Sequence, residues 1–306
     1  MDPRLLARPS CRRLPSAALS RLLFRRTCAA PVLVAAACLP AAGPAWAGQA
    51  ARVITIDSVR GIPRCPLRAV TDYEGALAST VSVLEQDLGF PRLASTVLLL
   101  PDSAALRDSL LREGHPASVS AEAAEALSAV ASAHAVRINE RAMRRLQWPA
   151  RVHVVAHELA HVAQNQLSGG RKGTSEQWLR EGLAEWVAWR VLEILGHGEL
   201  RRALREARDG VGWEGRRGWR PRLADLSTFD GWVRSMGERP ARLLYDEALL
   251  ATSALIEEHG LPAVLDYFSR AAGCDDRKAN FRAAFGQEGT SFEARFDYTV
   301  TALIRH

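Results

Sequence analysis

The residues with the clearest chemical content are His157-Glu158-Leu159-Ala160-His161. Two imidazoles four positions apart on a helix project from one face, about 6 Å apart along the axis, as two ligands of one metal ion require. Glu158 follows the first imidazole and is close enough to reach water beside such an ion without binding the ion itself. Val152, Val154, Val155, Leu159, Val162 and Leu167 surround the motif with apolar side chains, which predicts a buried helix. Three polar side chains in a buried helix need a partner, and a divalent cation supplies one.

Nineteen residues separate His161 from Glu181, which stands in Trp178-Leu179-Arg180-Glu181-Gly182-Leu183-Ala184-Glu185-Trp186. A carboxylate from a packed neighbouring helix completes a His, His, Glu set and leaves the fourth position open, as in catalytic rather than structural zinc sites. Glu181 and Glu185 lie one turn apart on one face, so either could point at the ion. Gly182 favours Glu181. A glycine inside a helix costs about 1 kcal/mol relative to alanine, and close helix approach beside Glu181 is a useful return. Glu185 is then expected to accept from the outer N–H of a ligand imidazole.

The elements that hold these groups follow from periodicity and punctuation. Pro149 suits a first helical position, the apolar pattern runs to Leu167, and Gly169-Gly170 stops it. Thr174 and Gln177 fit a capping box for a second helix that reaches Leu195 before Gly196. Upstream, 52–57, 96–100 and 134–139 read as strands and 73–88, 104–112 and 121–132 as helices. Downstream, helices are expected at 199–208, 243–259, 262–272 and 292–305. Strands first and helices afterwards predict an α+β fold, with an α/β lobe over 48–168 that includes the paired-histidine helix and a helical lobe over 169–306.

Of 306 residues, 48% are hydrophobic and 24% charged, a globular profile that excludes disordered, collagen-like and coiled-coil chains. The net charge of +6 arises at one end, because residues 1–47 hold seven Arg and one Asp. The remainder is balanced and makes no case for nucleic acid. Residues 1–47 read as a signal peptide: Arg21, Arg25 and Arg26 precede an apolar stretch over 29–39, and Ala45-Trp46-Ala47 is a cleavage pattern before Gly48. The stretch is too short to span a bilayer. A periplasmic or secreted location is expected; Arg25-Arg26 leaves the twin-arginine route open, and Ala35-Ala36-Ala37-Cys38 is a poor lipobox for anchoring at Cys38. Beyond the signal only Cys65 and Cys274 remain, and an even count in an oxidising compartment favours a disulfide between them.

The two motifs together resemble those of the gluzincin zinc metallopeptidases, and among them the peptidase MA-like group of exported bacterial proteins. The chain is similar also to the catalytic domain of zinc aminopeptidases, over roughly Leu88 to the C-terminus. The resemblance implies a zincin-like fold, Zn2+ held by His157, His161 and Glu181, and Glu158 as general base. It also implies an oxyanion-stabilising Tyr at the head of a downstream helix, which Leu243-Leu244-Tyr245-Asp246-Glu247-Ala248-Leu249-Leu250 places at Tyr245. Two departures stand out. The Gly-x-Met-Glu-Asn strand with which aminopeptidases grip a free amine is absent from the chain, and Arg180 replaces their usual Asn.

The expected activity is therefore an exported zinc-dependent endopeptidase acting on a peptide or protein. Zinc would polarise the scissile carbonyl, Glu158 would carry the proton from water to the leaving amine, and Tyr245 would donate to the oxyanion. Strand 134–139 is a candidate edge for an extended substrate. The alternatives are a non-catalytic binding or scaffold protein that retains the fold, and an amidase acting on a cell-wall crosslink.

Other signals carry less. Gly210-Val211-Gly212-Trp213-Glu214-Gly215 matches a dinucleotide fingerprint but follows no strand. His153 stands about 12 Å along the helix from His161, too far to share an ion, and reads as structural. Eight Arg between Arg201 and Arg222, with Trp213 and Trp219, could meet a membrane or cell-wall surface. Lys occurs only twice in the chain, so Arg is the default cation and a solvated face is the simpler expectation. Trp178, Trp186 and Trp189, at helical spacing, read as core.

Overall fold

Alternation along the strands divides the molecule's interior into two apolar layers, one on each face of a small sheet. The computed structural model describes residues 51–171, 173–218 and 222–305; the expected signal peptide over 1–47, with Cys38, and Trp219 lie outside them. Strands β1 (Arg52–Thr55), β2 (Thr96–Leu100), β3 (Ala129–Ala131) and β4 (Ala135–Asn139) form one mixed sheet in the order β1-β2-β4-β3. The β2–β4 pair is parallel and the two outer pairs are antiparallel. Val97, Leu99, Val136 and Ile138 enter the main core, whereas Leu98, Leu100 and Val130 face a smaller one.

Among the described residues eleven longer helices accompany the sheet: α1 (Tyr73–Ser82), α2 (Ser103–Arg112), α3 (Ala117–Ala126), α4 (Trp148–Leu167), α5 (Gln177–Ile194), α6 (Leu200–Arg216), α7 (Phe229–Glu238), α8 (Ala241–His259), α9 (Leu261–Arg270), α10 (Arg277–Phe285) and α11 (Gly289–Arg305). The smaller core lies between the sheet and α2 and α3. The main core runs without a break from the sheet through α4, α5 and α8 to α11, joining the α/β and helical parts of the chain. The fold is mixed α+β, as expected. Among the described residues no helix is long and apolar enough to cross a membrane.

Several local expectations are corrected. The helix expected over 121–132 ends at Ala126, and Ala129–Ala131 becomes a strand. Ala129 and Ala131 have no strand preference of their own, and pairing with β4 decides the matter. That pairing also makes 134–139 an interior strand between β2 and β3, so it cannot be the edge to which a substrate adds. The capping box at Thr174 does not form. Glu176 is the N-cap of α5 without a side-chain cap; its N–H donates to the Tyr267 hydroxyl at 2.7 Å, and the Gln177 N–H donates to the Ser227 carbonyl at 3.1 Å. Tertiary partners thus satisfy helix-entry donors that a local cap would otherwise take.

Cys65 and Cys274 are both free, which corrects the expected bridge. Cys65 Sγ lies 3.5 Å from Ser79 Oγ, while the Cys274 carbonyl accepts from Asn280 at 2.9 Å, so each is held by its own neighbours. The glycine fingerprint is part of α6, and a Cβ at Gly215 would stand 2.3 Å from Ile304. That glycine permits close packing against α11. Trp178 is buried, stacks on Phe292 and donates to Glu293 at 3.1 Å, as suits a core residue.

Candidate metal centre

Helix α4 begins with Pro149 in its first turn and presents His157 and His161 on the face packed against α5. Helix α5 brings Glu181 opposite them, and Gly182 allows it. A Cβ at Gly182 would lie 2.2 Å from both the Ala248 carbonyl oxygen and Thr252 Oγ1 of α8. No side chain fits there, so α5 is pressed between α4 and α8 at the turn that carries Glu181.

The result is a cluster of three ligand atoms. His157 Nε2 and His161 Nε2 are 3.1 Å apart, and Glu181 Oε2 lies 3.5 Å from the first and 3.4 Å from the second. Donor atoms arranged tetrahedrally about 2.0–2.1 Å from a zinc ion stand about 3.3–3.4 Å from one another, so these separations fit. Among the described residues this is the one group of His, Cys, Asp and Glu side chains spaced to hold a metal ion.

The hydrogen bonds around the three ligand atoms leave the same space unsatisfied. His157 Nδ1 lies 2.9 Å from Glu185 Oε1, and a carboxylate accepts, so the hydrogen is on Nδ1 and the lone pair on Nε2. Glu181 Oε1 accepts from Gln177 Nε2 at 2.9 Å, whereas Oε2 is buried without a hydrogen-bond donor. Lone pairs of neutral rings and a carboxylate oxygen therefore face one another across a space that needs a positive charge.

The electrostatics express that need. Burial works against the charged form of His157, but the carboxylates of Glu181 and Glu185 that face its two ring nitrogens outweigh it and push its pKa well above the ordinary value. Burial likewise opposes ionisation of Glu181, yet His161 and His157 hold it below the usual carboxylate range. Without a metal, the proton is the cation that fills the site.

Glu158 is half-buried beside His157, and its charge favours the imidazolium there. Tyr245, on the second turn of α8, lies beside the cluster: its ring centroid is 6.0 Å from that of His157 and 5.2 Å from that of Trp232, edge to face in both cases. All the sequence-derived candidates therefore gather in one region. His153 is not part of the triad; it is buried edge-on against Trp189, with Nε2 3.6 Å from Glu185 Oε2 on the far side of that carboxylate.

Sequence reasoning missed the polar residues behind the ligands. Gln164 Oε1 lies 2.9 Å from His161 Nδ1, and Gln164 Nε2 donates to the Arg180 carbonyl at 2.8 Å. Arg180 Nη2 donates to Asn165 Oδ1 at 3.1 Å, which gives that side chain a role in joining α4 to α5. Gln164 and Asn165, two of the three consecutive amides Gln164-Asn165-Gln166 just after His161, were the available signal. No family model, curated protein or solved structure matches the chain.

Proposed function

We propose that this protein is a zinc-dependent metallopeptidase of the gluzincin type, with a zincin-like arrangement of sheet, paired-histidine helix and carboxylate helix. The observation that carries this reading is the convergence of His157 Nε2, His161 Nε2 and Glu181 Oε2 at separations suited to one tetrahedral ion. A zinc ion bound there would supply Lewis acidity toward a substrate carbonyl and toward water.

The remaining steps belong to the chain's own side chains. Glu158, next to His157 and outside the ligand set, takes a proton from the attacking water and returns it to the departing amine. The Tyr245 hydroxyl donates to the oxygen of the tetrahedral intermediate, a contact of the kind worth about 2.7–4 kcal/mol of barrier. Glu185 holds His157 with Nε2 directed at the ion. With 134–139 inside the sheet, the sheet edge on the side of α4 is the three-residue β3. The signal-like composition of 1–47 would deliver the activity outside the cytoplasm.

The test is zinc content and cleavage of a mixed peptide library by the wild type and by Glu158→Gln. Equal zinc in the two proteins is expected, with cleavage lowered about 10²–10⁴-fold in the variant. A wild type that takes up no zinc, or a variant that cleaves as fast, overturns the proposal.

A further inference from the structure

Hydrogen-bond direction around His161 leads to a residue that no ligand motif contains. Gln164, one turn beyond His161, is fully buried. A side-chain amide can be placed either way round, but the Arg180 carbonyl that it meets at 2.8 Å can only accept. The amide nitrogen therefore faces Arg180, and Oε1 faces His161 Nδ1 at 2.9 Å. That oxygen can only accept, so Nδ1 carries the ring hydrogen and Nε2 carries the lone pair directed toward His157 and Glu181. In water the neutral imidazole of histidine favours the opposite form, with hydrogen on Nε2. The main chain of α5, beside Glu181, thus dictates the tautomer of a ring on α4.

We propose that Gln164 is a positioning residue that holds His161 in its metal-binding tautomer and ties that choice to the docking of the helix carrying Glu181. The inference rests on the metal-site reading above. His157 is set by a carboxylate and His161 by an amide, so the two rings are fixed by different chemistry. A carboxylate at 164 would retain the acceptor for Nδ1 while losing the donor to Arg180, whereas a thioether would lose both.

The experiment compares wild type, Gln164→Met and Gln164→Glu. In the metal-free proteins at alkaline pH, nitrogen-15 NMR of the His161 ring is expected to show hydrogen on Nδ1 in the wild type and in Gln164→Glu. Gln164→Met is expected to show a population with hydrogen on Nε2. Zinc affinity, measured by competition with a chromophoric chelator, is expected to fall about 10–100-fold in Gln164→Met and less in Gln164→Glu. Wild-type tautomer or wild-type zinc affinity in Gln164→Met overturns the inference. Hydrogen on Nε2 in the wild type overturns it whatever the variants do. If the wild type binds no zinc, the metal reading fails, while the tautomer comparison still decides the role of Gln164.

Discussion

Two buried polar clusters flank the sheet, and they are built to opposite ends. On the side of α2, the Arg137 guanidinium donates to Ser109 at 3.0 Å and to Ser132 at 3.2 Å, and its third nitrogen lies 2.9 Å from Glu113 Oε2. Every nitrogen of that guanidinium has a partner within the protein. On the side of α4, with both rings neutral, three acceptor atoms meet: His157 Nε2, His161 Nε2 and Glu181 Oε2. A cluster whose buried cation is matched by its own carboxylate is a structural device, even though Glu113 Oε2 meets Arg137 as an ion pair without a well-directed hydrogen bond. Acceptors gathered without a cation are suited to one from outside the chain.

The largest separation between the clusters is expected from Glu181→Gln. If zinc binds as proposed, then at about 1,000 times its dissociation constant it would stabilise the wild type by about 4 kcal/mol. That increment, measured as the loss of melting temperature on adding a chelator, should vanish in the variant. The amide can donate toward the imidazoles, so the metal-free variant should fold. A chelator effect equal to that of the wild type would erase the contrast.

Arg137→Met addresses the other cluster. It should cost about 3 kcal/mol in chemical denaturation, at the low end for a broken buried pair because Glu113 is 29% exposed, with zinc content unchanged. Loss of zinc from this variant would mean that the two clusters are coupled through the sheet. Gly182→Ala should destabilise by about 1–3 kcal/mol through overpacking against Ala248 and Thr252, although alanine is the better helix former. It should also weaken zinc binding by displacing Glu181; a variant as stable as the wild type would show that α5 and α8 can separate freely.

The smallest effect is the dependence on pH, and its sign differs between the clusters. For Glu113, burial raises the pKa, but His115 and Arg137 bring it down to about 2 from 4.5. Its contribution is complete above 4.5 and is lost as pH falls toward 2. For His157 in the metal-free protein the folded value is raised. That contribution is complete below 6.5 and is lost as pH rises through the raised value. Zinc bound as proposed would displace the same proton, so zinc-loaded protein should gain stability over that rise while metal-free protein loses it. Parallel melting curves for the two forms would contradict this account.

Much of the site was legible because it is local in sequence. His157, Glu158 and His161 need only one helical turn to be placed, and Gly182 carried a warning of close approach beside Glu181. What could not be read required partners far along the chain. The α5 entry is satisfied by Tyr267 and Ser227 rather than by Thr174, and 129–131 becomes a strand only because β4 lies beside it. The helices at Phe229–Glu238 and Arg277–Phe285 also escaped notice, since both are short and polar at many positions.

The sequence by itself determined which side chains could bind an ion and on which face of α4 they stand, because helix geometry converts spacing into direction. Only the tertiary structure decided which carboxylate meets them and which tautomer each ring adopts. Those choices depend on how closely α5 approaches α4 and α8, and on the hydrogen bonds that cross between them.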